Sequence, residues 1–181
     1  MSTRPNWNEY FINITKEVSK RSNCMSTSIG AIIVKDGRIL SSGYNGAPRK
    51  TQDCYERGHC LRRKMNIPSG HRYELCRSVH AEQNAIINAA RAGSSVLGST
   101  MYMYGVKKFN APEALIDAIP CFICKKMVIN AGISKVVGMM KNGTIREFNV
   151  EQWVNDWKSG DMTADMDLYD TDYSEAKKDD N

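Results

Sequence analysis

Two short motifs constrain this chain more than anything else in it. One is His80-Ala81-Glu82. The other, beginning 38 residues after Glu82, is Pro120-Cys121-Phe122-Ile123-Cys124. Each opens a stretch with a helical pattern. From His80 to Ala92, the residues Ala81, Ala85, Ile86, Ala89 and Ala90 return at helical spacing, and Gly93 can close the helix. Cys121 to Ala131 reads as a second helix, with Pro120 before it and Gly132 after it. Cys121 and Cys124, three residues apart, share one helical face. A helix N-terminus stabilises negative charge, which favours two thiolates there. His80 supplies a third donor from the other helix start. A fold that uses all three must bring two helix N-termini to one point.

His80, Cys121 and Cys124 make three protein ligands and leave the fourth tetrahedral position for water, the layout of a catalytic zinc site rather than a closed structural one. Zinc lowers the pKa of bound water to about 7. Glu82, two residues past His80, would lie off the ligand face in mid-helix, but in a first turn it can reach that water and shuttle its proton.

The rest of the chain supplies a scaffold. Apolar residues at Trp7, Tyr10, Phe11, Ile14 and Val18 predict an amphipathic helix over residues 7–20. Ile29 to Val34 is a β-branched apolar run, and Asp36-Gly37 marks a hairpin into a strand from Arg38 to Gly43. Tyr44-Asn45-Gly46-Ala47-Pro48 is a loop. Residues 49–79 have no clean period. They carry eight basic residues and three cysteines, as an insertion held by a local staple would. Strands are expected at residues 100–105, 133–140 and 144–148, a loop with a short turn at 106–119, and a last helix at 150–157. The order fits one sheet with helices packed on it. Met101, Met103, Met127, Met139 and Met140 read as core, and Trp153 and Trp157 as the docking face of the last helix.

At 181 residues the chain is one domain by length, expected over residues 1–160. No apolar run is long enough to span a bilayer, and the polar N-terminus does not read as a secretory leader. Residues 161–181 hold eight acids against two lysines, a net −6, and are expected to be a mobile tail beyond Tyr173. Residues 1–160 carry +11. A basic body fits an anionic partner, a nucleotide or a nucleic acid, although the acidic tail also simply offsets it. Six cysteines without a secretory leader point to metal binding or catalysis rather than disulfides.

H-x-E…P-C-x-x-C is the motif of zinc deaminases. Residues 28–140 resemble the cytidine deaminase superfamily. Within it they are most similar to the deoxycytidylate (dCMP) deaminases of bacteria, archaea and bacteriophages. The resemblance rests on Ile29-Gly30-Ala31-Ile32-Ile33-Val34, Gly43-Tyr44-Asn45-Gly46-Ala47-Pro48, Ile67-Pro68-Ser69-Gly70, His80-Ala81-Glu82-Gln83-Asn84-Ala85-Ile86, Pro120-Cys121-Phe122-Ile123-Cys124 and Asn130-Ala131-Gly132-Ile133. It implies an α/β fold: a three-layer α/β/α arrangement around a mixed sheet of about five strands. It also implies hydrolysis of dCMP to dUMP and ammonia by attack at C4 of cytosine, feeding dTMP synthesis in a cytoplasm. Catalytic zinc on His80, Cys121 and Cys124 follows, with Glu82 as proton shuttle. Asn45 is expected at the deoxyribose hydroxyl and the Ala81 N–H at the cytosine carbonyl. Asn45 before a glycine is also a turn residue suited to positive φ.

The resemblance further implies a dCTP activator and a dTTP inhibitor, bound with Mg²⁺ between subunits of a hexamer. Gly43, Tyr44 and Gly46 are the candidate effector residues. Cys24, Cys54, Cys60 and Cys76 are the candidate ligands of a second, structural zinc, with His59 and His71 as competitors and buried free thiols as the alternative. Lys107 to Ile119 is longer and more polar than the family's usual loop, so no substrate contact is carried over from it. At least one cation of residues 49–77 is expected at the substrate phosphate. Nucleic acid is not the expected partner. The competing readings are a polynucleotide deaminase, favoured by the +11 body, and a non-catalytic zinc-stapled binding module, disfavoured by Glu82.

Overall fold

The computed structural model describes residues 4–68, 71–109 and 113–160. The acidic tail and the Ser69-Gly70 pair therefore lie outside the described residues. Helix α1 (Trp7–Ser19) is followed by strands β1 (Thr27–Lys35) and β2 (Arg38–Tyr44). A short helix α2 (Leu61–Lys64) and a 3₁₀ turn at Tyr73–Leu75 lie in the insertion. Then come α3 (Ala81–Arg91), β3 (Thr100–Lys107), β4 (Ala114–Leu115), α4 (Phe122–Asn130), β5 (Lys135–Met139), β6 (Ile145–Asn149) and α5 (Val150–Ser159).

The strands form one six-stranded sheet in the order β2-β1-β3-β5-β6. All neighbours are antiparallel except β3 and β5, which run parallel. The extra strand is β4, two residues that pair with Val106 and Lys107 at the end of β3, beyond the stretch paired with β5. It lies in the segment read from the sequence as loop, and two residues are too few to leave an alternating pattern.

The sheet is covered on both faces, so its central strands are apolar on both sides. Ala31, Ile33, Met101, Met103 and Val136 face the core shared with α3, α4 and α5. Ile32, Val34, Tyr102, Tyr104 and Val137 face α1. The alternation is the period of two that a strand imposes. Met101, Met103 and Met140 are buried, and Trp153 docks α5 as expected. At the β1–β2 turn Asp36 and Gly37 take φ of 51° and 74°, the left-handed pair a tight hairpin uses. Among the described residues, no helix is long and apolar enough to cross a membrane.

Helix α1 is capped by Asn6 and Glu9, each side chain accepting the other's backbone N–H. Its buried face keeps Phe11 of the predicted stripe, with Ile14 and Val18 packed half-buried against the same cluster, but is rotated toward Ile12, Thr15 and Ser19. Phe11, Ile12, Thr15 and Ser19 are buried, whereas Trp7 and Tyr10 are exposed. The cause is Gly30 on β1. A Cβ there would lie 2.6 Å from the Thr15 carbonyl and 2.7 Å from the Ser19 nitrogen. Backbone meets backbone at that point, so the helix turns its small polar residues to the strand. The Ser28 hydroxyl then donates to the Ser19 carbonyl at 2.6 Å.

A second close approach positions α3. A Cβ on Gly43 would lie 2.3 Å from the Ala85 nitrogen and 2.4 Å from the Ala81 carbonyl. Ala81, Ala85 and Ala89 form the buried stripe that permits it. Asn84 and Asn88 fasten the helix by donating from Nδ2 to the Tyr44 and Ser42 carbonyls, each at 2.8 Å.

Gly43→Ala is therefore expected to destabilise the fold by about 1–3 kcal/mol, the usual cost of overpacking, and to lower the thermal midpoint by several degrees. Ser42→Ala, on an exposed neighbour, should change stability by no more than about 0.5 kcal/mol. Thermal unfolding of both variants checks this, and equal midpoints would show that α3 can retreat freely.

Candidate active site

His80 and Cys121 are the N-cap residues of α3 and α4. Both helices lie on the same face of the sheet, and their starts converge. The Sγ atoms of Cys121 and Cys124 lie 3.5 Å and 3.3 Å from His80 Nδ1. All three donor atoms fall within 4.8 Å of one another. The convergence anticipated from the two motifs is thus present. Cys124 is fully buried and Glu82 nearly so, at 4% exposure, in the first turn of α3.

The segment leading into α3 is fixed from two sides. Val79 and Gly46 exchange backbone hydrogen bonds of 2.8 Å and 3.1 Å. The His80 N–H donates to Gln83 Oε1. The Tyr73 ring, from the insertion, meets the His80 ring edge-on, with centroids 5.2 Å apart.

Electrostatics at the cluster follow from crowding four ionisable groups out of water. Burial raises the Glu82 pKa to about 7, against the opposing pull of His80. For His80, burial acts downward, but the Cys121 hydrogen bond and the Glu82 charge outweigh it and raise the pKa to about 8. Cys121 is brought down to about 4, chiefly by its hydrogen bond with Cys124 and then, against burial, by His80. Cys124 moves the other way, held protonated by Cys121, by burial and by Glu82. Protein groups alone stabilise one thiolate and oppose the second. A polyvalent cation bound by both sulfurs would favour the loss of both protons. One imidazole and two thiolates are a donor set that suits zinc.

A cavity of about 630 Å³ opens onto this cluster. His80, Ala81, Glu82 and Cys121 line it, as does Asn45. Asn45 is buried and does not have a left-handed backbone, so the turn requirement is not why it is there. Its Oδ1 accepts the Ile29 N–H at 2.8 Å, and its Nδ2 donates to the Thr27 carbonyl and hydroxyl. The amide's donors are thus engaged, while Oδ1 keeps a lone pair. The Ala81 N–H is at the first position of α3, where no intrahelical acceptor exists.

Cys24, Cys54, Cys60 and Cys76 all line the far reach of the same cavity. Burial and the neighbouring thiols raise the Cys54 pKa. Burial, opposed by a backbone hydrogen bond at Ser78, raises that of Cys76. Among the described residues, only His80, Cys121 and Cys124 bring three donor atoms within 4.8 Å of one another, so the four sulfurs share a region without being drawn to one point. His59 Nδ1 lies 2.9 Å from the Arg57 carbonyl. Of the candidate effector residues, Gly43 and Gly46 are buried in close packing, Gly46 against the Asn23 side chain, and Tyr44 is half-buried.

Sequence reasoning missed Tyr73 and Phe109 on the cavity wall, and Lys125, buried beside Cys124 with Nζ 4.7 Å from the Trp153 ring centroid. For Tyr73 the one available cue was the mixture of cations and aromatics in residues 55–77; Phe109 and Lys125 carried none.

Residues 5–140 match the family model for the cytidine and deoxycytidylate deaminase zinc-binding region. The deoxycytidylate deaminase of Mycobacterium phage D29 is 33% identical over an alignment covering 75% of this chain and 95% of the phage protein. The Schizosaccharomyces pombe deoxycytidylate deaminase is also 33% identical, over 74% of this chain. The chain spans only 37% of that yeast protein's length. Among solved structures, the dCMP deaminase of cyanophage S-TIM5 in complex with dCMP and dUMP superimposes with a TM-score of 0.53 at 27% identity. That match covers 76% of this chain and 83% of the cyanophage chain. The family match takes in both halves of the His/Cys/Cys cluster and nearly the whole of the phage relative, and the chain belongs to the cytidine and deoxycytidylate deaminase family.

Proposed function

We propose that the chain hydrolyses dCMP to dUMP and ammonia. The observation that carries the reading is the buried Glu82 carboxyl beside the His80, Cys121 and Cys124 donors, on the wall of a cavity large enough for a nucleotide. A purely structural metal site has no use for a buried acid next to its ligands. Support for dCMP over other amines comes from the deoxycytidylate deaminases to which the chain is similar.

Zinc held by His80, Cys121 and Cys124 supplies Lewis acidity that lets water act as a nucleophile at neutral pH. The chain's own groups manage protons and position. Buried in the first turn of α3 and lining the cavity beside the three donors, the Glu82 carboxyl is placed both to accept and to release a proton. It takes one from the attacking water and delivers it to ring N3 as the C4–O bond forms. It then carries the remaining proton from the new C4 hydroxyl to the amino group, so the C4–N bond breaks, ammonia leaves and the C4 carbonyl forms. The Ala81 N–H is offered to the cytosine carbonyl, and a deoxyribose hydroxyl can donate to the remaining lone pair of Asn45 Oδ1.

The second metal belongs to the same proposal. Zinc on Cys24, Cys54, Cys60 and Cys76 would hold an insertion in which α2 has no buried residue, and closing the four sulfurs on one ion requires them to draw together. The reading extends to supply of dUMP for dTMP synthesis in a cytoplasm. It also extends to a hexamer controlled by dCTP and dTTP with Mg²⁺ at the Gly43–Pro48 loop. A dCMP assay titrated with dTTP tests that control, and an unchanged rate removes it.

Glu82→Gln is expected to lower kcat by about 10²- to 10⁴-fold while zinc content stays at the wild-type level. Ammonia release and elemental analysis on the same preparation check both. Full turnover by Glu82→Gln would refute the mechanism, and release from tRNA but not dCMP would move the substrate to polynucleotides.

Chelation should abolish turnover, and added zinc should restore it. Two zincs per chain, falling to one in Cys54→Ser and Cys76→Ser, are expected. A single zinc in the unaltered protein removes the second site and keeps the first.

A further inference from the structure

Five cationic side chains line the cavity: Arg62, Arg63, Arg77, Lys107 and Lys141. Four are engaged or outlying. Arg63 Nη2 donates to the Met25 carbonyl and the Ser26 hydroxyl, with its guanidinium 3.3 Å from the Phe109 ring centroid. Arg77 Nε donates to the Gln52 carbonyl. Lys141 pairs with Asp117 at 3.3 Å. Lys107 is exposed at the end of β3.

Arg62 differs. Its Nη2 donates to the Pro68 carbonyl at 2.6 Å. Its Nε is buried and has no acceptor among the described residues. Its guanidinium carbon lies 4.7 Å from the Tyr73 ring centroid, and that same ring meets His80 edge-on. One aromatic ring thus links an under-satisfied cation to the metal-ligating imidazole. A buried N–H without an acceptor is costly. A guanidinium held on an aromatic face in the lining of a cavity suits a phosphate group.

We propose that Arg62 is the specificity-determining residue that selects a nucleotide over a nucleoside, its guanidinium taking the 5′ phosphate while Tyr73 holds it in place. This assignment rests on the deaminase reading of the site. It gives the insertion a role in recognition: α2 delivers the cation, and the 3₁₀ turn at Tyr73–Leu75 delivers the platform.

The test is equilibrium binding of dUMP and of deoxyuridine to the zinc-loaded protein by calorimetry, which needs no turnover. The wild type should prefer dUMP. Arg62→Gln should lower the ratio of the two affinities by about 10- to 100-fold, the range for a hydrogen bond to a charged group. Arg62→Lys, which keeps charge and stem but not the planar fork, reads the same ratio if the glutamine variant fails to fold, and a reduced ratio is expected there too. A wild type with no preference overturns the proposal. So does a variant whose two affinities fall in proportion, because that makes Arg62 a structural support. Ammonia release from dCMP by the wild type is assayed separately. Its absence, with the dUMP preference and its dependence on Arg62 intact, would refute deamination and leave the Arg62 assignment standing.

Discussion

The structure turns on the contact of two helix N-termini. His80 and Cys121 each cap a helix, and their donor atoms sit 3.5 Å apart. Helix starts tolerate negative charge and bring backbone N–H groups with them. The same placement therefore favours the thiolates, admits Glu82 and offers the Ala81 amide. Neither helix could reach this position unless the sheet accepted it closely. Gly43 lets α3 lie backbone to backbone on β2, and Gly138 on β5 meets the Ala118 carbonyl in the segment that leads to Pro120 and Cys121. The chemistry of the site depends on side chains that are missing as well as on those present.

Much of this was legible in the sequence because the governing patterns are local. Residues 29–34 read as an apolar β-branched strand and lie within β1, where residues 30–34 are buried. Asp36-Gly37 read as a hairpin turn and takes the backbone angles such a turn needs. The two motifs specified the ligand cluster because each residue's place relative to a helix start follows from spacing alone.

What was not legible depends on meetings between distant segments. The apolar spacing of α1 placed Phe11, Ile14 and Val18 toward the sheet correctly but Trp7 and Tyr10 wrongly, because a glycine on β1 draws Thr15 and Ser19 against the strand. Nothing periodic marks residues 49–79, so the seating of Arg62 on Tyr73 and of Tyr73 on His80 could not be read from order. The engagement of Asn45 with Thr27 and Ile29 likewise depends on β1 and the loop after β2 lying side by side.

The paired backbone hydrogen bonds between Gly46 and Val79 act as a clasp. The described residues between 47 and 78 leave the sheet and return to it at this pair, and Arg49 and Arg63 tie them further to α3 and to the approach to β1. Because closure entropy grows only slowly with length, the length of this excursion weighs little on the clasp that holds the approach to His80. The fold thereby separates two parts: a His/Cys/Cys cluster fixed by the sheet and two helices, and a long connection whose two ends are fastened together before the first of those helices begins.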